Sequence, residues 1–157
     1  VYYTEVKNLI GYNSFYQYIN TNKANMKGGE LGLKWKHDAL FASTQYAYVK
    51  TEDEETKLEL LRRPRQTMTL TAGYDDGIYG VSTSVVAHSK AKASASVNVP
   101  GYTTVDLNAF WNVTSNVKLF TNIQNIGDVK YKAVYSSTDT WYINGGRLAT
   151  VGVTLNF

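Results

Sequence analysis

Apolar and polar residues alternate with a period of two along most of the chain, and that spacing predicts strands rather than helices. The alternation is cleanest toward the C-terminus. A strand over 145–157 places Val151, Val153, Leu155 and Phe157 on one face and Thr150, Gly152, Thr154 and Asn156 on the other. A strand over 117–126 sets Val117, Leu119 and Ile123 against Lys118, Asn122 and Gln124. One over 102–113 sets Val105, Leu107, Ala109, Trp111 and Val113 against Thr104, Asp106, Asn108 and Asn112. Over 78–88, Tyr79, Val81, Val85 and Ala87 oppose Gly80, Ser82, Ser84 and His88; over 66–75, Met68, Leu70, Ala72 and Tyr74 oppose Thr67, Thr69, Thr71 and Gly73. The pattern weakens over 40–51. It is clear only in the second half of 22–36, where Leu31, Leu33 and Trp35 oppose Glu30, Gly32 and Lys34, and a short strand covers 1–10. Eight strands are therefore predicted in this chain.

The connections alternate in length. His37–Asp38–Ala39, Asp75–Asp76–Gly77 and Val113–Thr114–Ser115–Asn116 are short and rich in residues that tolerate the positive φ of tight turns. The segments 11–21, 52–64, 89–101 and 127–144 are long and polar. Short turns at one end and long loops at the other are the layout of an antiparallel transmembrane β-barrel. Trp35, Tyr74, Tyr79 and Trp111 flank the short turns, and Phe157 ends at the same level, all on the apolar face by parity. Such residues favour a membrane–water boundary, where the ring is buried and the polar tip stays hydrated. The same five could instead plug the floor of a soluble core. The opposite face is rich in Gly, Ser, Thr and Asn, too small to fill a narrow barrel, and it fits a wide lumen holding water or another domain.

Composition narrows the choice. Thirteen tyrosines among 157 residues suit sites that are dry at one end and wet at the other. A net charge of +3, with the basic residues dispersed, gives no case for nucleic acid. Without cysteine there is no disulfide, thiolate metal site or cysteine nucleophile. No apolar run reaches the ~18 residues of a spanning helix, but a barrel strand needs only about 9–11, and a mean hydropathy of -0.31 suits a wall that is polar on one side. No signal peptide opens the chain, so an exported protein would have lost one, or the chain is an internal or C-terminal piece.

Five segments resemble TonB-dependent outer-membrane receptors. They are Asn22–Lys23–Ala24–Asn25–Met26–Lys27–Gly28–Gly29–Glu30, Leu61–Arg62–Arg63–Pro64–Arg65, Pro100–Gly101–Tyr102–Thr103–Thr104–Val105–Asp106–Leu107, Asn122–Ile123–Gln124–Asn125–Ile126–Gly127–Asp128–Val129–Lys130–Tyr131, and Gly146–Arg147 followed by a strand ending in Phe157. The fourth departs from the family at Ile126 and Gly127, where Leu and Phe are usual. The resemblance implies that 1–157 is the C-terminal portion of a barrel of roughly 22 strands. It implies an N-terminal plug and earlier strands outside this chain, on the same or a separate polypeptide, with TonB contacted only through that plug. It also implies the bacterial outer membrane, with lipid and lipopolysaccharide around the wall, and import of a scarce nutrient. Among the family, cobalamin receptors are the most similar, through Tyr3–Thr4–Glu5–Val6–Lys7–Asn8–Leu9–Ile10–Gly11–Tyr12, Leu60–Leu61–Arg62–Arg63 and the spacing from Tyr131 through Val134–Tyr135 to Gly146–Arg147. Siderophore and haem receptors share most of this skeleton.

Long loops on a rigid barrel are free to vary, which suits a binding vestibule. Tyr135, Trp141 and Tyr142, which share the longest loop, and Tyr16 are the candidate substrate contacts; packing of loop on loop is the plainer role for them. The acidic run Glu52–Asp53–Glu54–Glu55 offers oxygen ligands for calcium but lacks EF-hand spacing, and a solvated loop tip explains it as well. Lys90 and Lys92 suit lipopolysaccharide phosphates or simple solubility. His37 lies in a turn, and His88 has no evident partner for haem ligation. There is no G-x-S-x-G, no H-E-x-x-H and no phosphate-cradling loop, so no enzyme, cofactor or resident metal is expected. Two rivals remain. A complete eight-stranded barrel for adhesion or anchoring requires Val1–Ile10 to pair with the last strand. A soluble lipocalin-like binder requires the apolar face to line a cavity.

Overall fold

The computed structural model describes residues 1–12, 17–94, 96–135 and 140–157, and every regular element among them is a strand. The main strands are β1 (Tyr2–Tyr12), β2 (Tyr18–His37), β3 (Leu40–Asp53), β4 (Gln66–Asp75), β5 (Tyr79–His88), β8 (Tyr102–Asn112), β9 (Val117–Gln124) and β12 (Leu148–Leu155). They form one sheet in the order β1-β2-β3-β4-β5-β8-β9-β12, each pair antiparallel. Two small hairpins stand apart from it: β6 (Ala91–Lys92) with β7 (Asn98–Val99), and β10 (Lys132–Tyr135) with β11 (Trp141–Ile143). Among the described residues β1 pairs only with β2 and β12 only with β9, so the sheet has two open edges. A self-contained small barrel is thereby ruled out for the described residues, because the first and last strands do not meet.

Residues directly opposite each other in adjacent strands share a face. The register runs one such row through Trp35, Ala42, Ala72, Thr83, Leu107, Ile123 and Ala149. The next row toward the short turns contains Leu40, Tyr74, Val81, Ala109, Thr121 and Val151. This apolar face is open: Leu31 is 62%, Trp35 55% and Val151 81% exposed. Tyr74, Tyr79, Trp111 and Phe157 are exposed as well. Buried apolar residues among those described are only Ala24 and Ala93, and no large side chain is fully buried. A soluble fold of this length would collapse its Leu, Val and Trp residues into a core. This sheet does not, which removes both the lipocalin-like alternative and the reading of the five aromatics as a core floor. Tyr79 and Trp111 instead lie side by side, with rings stacked at 5.9 Å.

The short turns follow the residues expected there. His37 pairs with Leu40, and Asp38 takes φ of 50° between them. In the next turn Asp76 accepts hydrogen bonds from the amides of Ile78 (2.8 Å) and Tyr79 (2.7 Å), while Gly77 adopts φ of 85°. Those amides hold the Asp76 carboxyl below its ordinary range. In the third, Asn116 reaches across to donate to the Asn156 carbonyl at 2.8 Å.

Three features differ from the sequence reading. β1 and β2 extend into 11–21, pairing Tyr12 with Tyr18, so that connection is a tall hairpin rather than a long loop. The segments 89–101 and 127–144 contain strands of their own. The polar face also carries three large rings. Phe41 faces Gly73, Phe110 faces Gly80 and Phe120 faces Gly152 directly across the ladder. A Cβ on each glycine would run into the opposing ring. Each Phe ring thus occupies the space that a side chain on its partner would take.

Candidate functional site

The long-loop end of the inner face is built from the last rungs of β5 and β8. His88 pairs with Tyr102 there, and their rings are 4.9 Å apart. Thr67, opposite His88 on β4, lies with its Oγ1 3.2 Å from His88 Nδ1 and fixes that ring. Tyr131 stacks on Tyr102 with parallel rings whose centroids are 3.8 Å apart. Sequence parity leaves Tyr131 in a loop; what brings it to the wall is a brace on either side.

The first brace is the turn that ends β9. Asn125 is only 5% exposed and adopts φ of 50°. Its amide donates to Asp106 Oδ1 at 2.7 Å, and the Ile126 amide donates to the Val105 carbonyl at 2.7 Å. Its own side chain closes a ring with Val129: Oδ1 accepts from the Val129 amide and Nδ2 donates to the Val129 carbonyl, both at 3.0 Å. Asp128 then accepts from the Arg147 amide at 2.9 Å and from Lys130 Nζ at 3.2 Å. These bonds hold the Asp128 carboxyl below its usual range, the Arg147 amide being the main cause. Gly146 takes φ of 80° beside this carboxylate, where a Cβ would meet both Asp128 and Lys130. The motif read from Asn125 to Asp128, and Gly146–Arg147 beyond it, is therefore one locked unit joining β9 to β12. The second brace is Asn144, whose Oδ1 accepts from the Tyr131 amide at 3.1 Å.

A second group comes from the segment between β3 and β4. Arg62, at φ of 60°, donates its amide to the Lys92 carbonyl at 2.6 Å and ties this segment to the β6–β7 hairpin. The Val49 amide donates to the Arg65 carbonyl and the Leu60 amide to Thr51 Oγ1. Arg65 also pairs with Glu59, and that hydrogen bond holds the Glu59 carboxyl below its ordinary range. Between these parts lies a cavity of about 190 Å³, lined by Arg62, His88, Val99, Tyr102, Tyr131 and Lys132 among others. A neighbouring cleft of about 380 Å³ is edged by Glu59, Arg63, Arg65, Lys90 and Lys92. Cations and aromatic faces thus converge at the long-loop end.

The sequence candidates are distributed unevenly. Trp141 sits under Lys132, whose Nζ lies 4.3 Å from the ring centroid. The β10–β11 register places Tyr135 opposite Trp141 and Tyr142 opposite Val134; beyond this pairing, the Tyr135 side chain lies outside the described residues. Tyr142, next to Trp141 on one strand, takes the opposite face of the hairpin and is exposed. Trp141 and Tyr142 therefore do not form one surface. Tyr16 lies outside the described residues. The acidic run is occupied locally: Asp53 accepts from the amides of Glu55 and Thr56 at 2.9 Å each, and Asn25 donates to Glu54. The Thr56 amide is the main reason the Asp53 carboxyl stays below its ordinary range. Among the described residues no three His, Cys, Asp or Glu side chains converge on a metal-sized site. The residues that sequence reasoning passed over are Tyr102, Tyr131, Arg62 and Lys132. The first three lay inside the quoted motifs, which was the available signal.

Comparison with known proteins agrees with this architecture. The family described as TonB dependent receptor-like, beta-barrel matches residues 1–126. The vitamin B12 transporter BtuB of Vibrio vulnificus is 22% identical over 128 residues, covering 82% of this chain and 21% of that protein. The chain thus spans about a fifth of the curated relative's length. The ferric yersiniabactin uptake receptor FyuA of Yersinia pestis superposes with a TM-score of 0.83 at 18% identity, over 99% of this chain and 26% of its own. The copper transporter OprC gives 0.80 at 20% identity, over 98% of this chain and 27% of its own.

Proposed function

Since the chain belongs to the TonB-dependent receptor-like β-barrel family, we propose that it forms part of the wall of an outer-membrane transporter that binds a scarce nutrient at its long-loop end and passes it inward. The observation that carries this reading is the braced cavity of Arg62, His88, Tyr102, Tyr131 and Lys132 at the end of the inner face. Cobalamin is the favoured cargo: the curated relative is a vitamin B12 transporter, and stacked tyrosines offer flat apolar faces to a macrocycle. A second reading follows from the cations around the cavity, which complement an anionic, aromatic iron chelate. Haem has less support, because His88 is engaged with Thr67 and Tyr102.

The remaining assignments belong to the same proposal. The chain supplies eight adjacent strands of a barrel of roughly 22, and other strands of the receptor cover the edges of β1 and β12. A plug fills the lumen, reaches TonB and carries the energy coupling. Trp35, Tyr74, Tyr79, Trp111 and Phe157 form the aromatic girdle on the periplasmic side. Of the loop residues, Trp141, Tyr142, Tyr135 and Tyr16 form the outer approach to the cavity. The role is transport rather than catalysis. Titration of the purified receptor with cobalamin, a ferric siderophore and haem tests the cargo: saturable binding of one, weakened by Tyr102→Ala, is expected. Binding of none of the three would refute the reading.

A further inference from the structure

Volume and charge set what the long-loop cavity can take. At about 190 Å³ it is smaller than the roughly 300–1,000 Å³ of pockets that enclose a whole drug-sized ligand. It therefore takes one group projecting from a cargo rather than the cargo entire. Arg62 and Lys132 line it, and among the described residues no carboxylate does. Neither cation has a carboxylate within ion-pair distance among those residues. Lys132 is held over the Trp141 ring instead. With the Tyr102–Tyr131 stack beside these cations, the lining suits a planar anion.

His88 is the third basic group on this lining. Its Nδ1 lies 3.2 Å from Thr67 Oγ1, which leaves Nε2 as the ring nitrogen for a ligand. A hydroxyl both donates and accepts, so Thr67 satisfies Nδ1 whether the ring is neutral or charged. The titratable and charged groups around the ring are Tyr102 from β8, Tyr131 and Lys132 at β10, and Arg62 from the segment before β4. The neighbouring cleft adds Lys90 and Lys92, and its Glu59 is paired with Arg65. Down the inner wall, the first acid along β8 is Asp106, about 13 Å from Tyr102 along the strand, and it accepts from the Asn125 amide. An empty cavity thus gathers positive charge around the imidazole, and an anion seated beside Arg62 and Lys132 reverses the field there.

We propose that the cavity seats one planar anionic group of the cargo, and that His88 takes up a proton from solvent as the group enters and donates it in a hydrogen bond from Nε2. One proton is bound for each anion seated, and no other group changes charge. Histidine is the side chain suited to this, because its charge changes between about pH 5 and 8. Affinity for the anion is then full below that window and falls as pH rises through it. The chain's other histidine, His37, ends β2 at the short-turn end and does not share the cavity. The inference rests on the transport reading, in which this end of the inner face meets cargo.

The test uses the receptor containing this segment, purified in detergent, with benzoate and its neutral isostere benzamide as probes. Both are titrated calorimetrically between about pH 5.5 and 8, where a carboxylate stays ionised. Benzoate is expected to bind about tenfold more tightly at the acid end, the worth of one hydrogen bond to a charged partner. Its binding heat should vary with the ionisation enthalpy of the buffer, which reports proton uptake without any substitution. His88→Gln should level the pH dependence and abolish the uptake, and Lys132→Gln should weaken benzoate severalfold at every pH. No benzoate binding at millimolar concentration, benzamide bound equally well, binding without proton uptake, or a pH dependence that survives His88→Gln would each overturn the proposal. Cobalamin, a ferric siderophore and haem are titrated into the same preparation. Saturable binding of one of them, with no proton uptake by benzoate, removes only this inference, whereas binding of none defeats the transport reading itself.

Discussion

Replacing Asn125 is the sharpest test of how the cavity wall is held. The side chain makes two hydrogen bonds to Val129 at 3.0 Å, and the backbone sits at φ of 50°. Asn125→Ala removes both bonds, at about 1 kcal/mol each, and forces a Cβ-bearing residue without local hydrogen bonding into the left-handed region, at about 1–2 kcal/mol. The sum is about 3–4 kcal/mol. Asn125→Gly loses the same bonds but adopts the backbone freely, so its cost is about 2 kcal/mol. The affected unit is local, so the measurement is hydrogen exchange of the segment 126–131 in the lipid-reconstituted receptor. Protection there should fall roughly thirtyfold for the glycine variant and several hundredfold for the alanine variant. Asn125→Asp keeps the acceptor for the Val129 amide but turns a carboxylate oxygen toward the Val129 carbonyl, so protection should fall there as well. Equal losses for alanine and glycine would refute the backbone argument. Unchanged exchange in all three would refute the brace.

Three further outcomes are expected. Leu70→Arg, on the open apolar face, should destabilise the lipid-inserted receptor by about 2–4 kcal/mol, while Thr69→Arg on the inner face should change little, as read from unfolding midpoints. Removal of the Tyr131 ring should cost about 1 kcal/mol of stacking, seen as a severalfold weaker cargo affinity by calorimetry with the fold intact. The Asp76 carboxyl is held below its ordinary value of 3.8 by turn amides. Its contribution is therefore present above that value and lost as pH falls through the lower folded value, so protection of the Ile78 and Tyr79 amides should drop below about pH 4, and Asp76→Asn should remove that dependence.

Much of this architecture was legible because the side-chain period in a strand is two, so parity alone sorted Leu31, Leu33 and Trp35 from Glu30, Gly32 and Lys34. Turn chemistry was equally local: Asp38 and Gly77 sit where positive φ is needed. Parity does not say what a residue meets across the ladder. It puts Phe41, Phe110 and Phe120 on the polar face, but that each stands opposite a glycine is revealed only by the register. The candidate site was half legible. Asn125, Asp128 and Gly146 stood in motifs, but their purpose is a set of bonds between segments about twenty residues apart, which no single stretch displays. Trp141 and Tyr142 were grouped by loop membership, and strand geometry separates them.

The two unpaired margins of the sheet have a consequence for how such a wall comes into being. Among the described residues, every second backbone amide and carbonyl along the outer edges of β1 and β12 points sideways with no partner strand, and in hydrocarbon each such orphan costs several kcal/mol. A wall with these margins is unstable in lipid until neighbouring strands zip onto both of them. For the barrel wall proposed above, biogenesis would have to deliver it as part of a closing ring, and a cut in one of the outer connections afterwards would leave the pieces stitched together by their ladders.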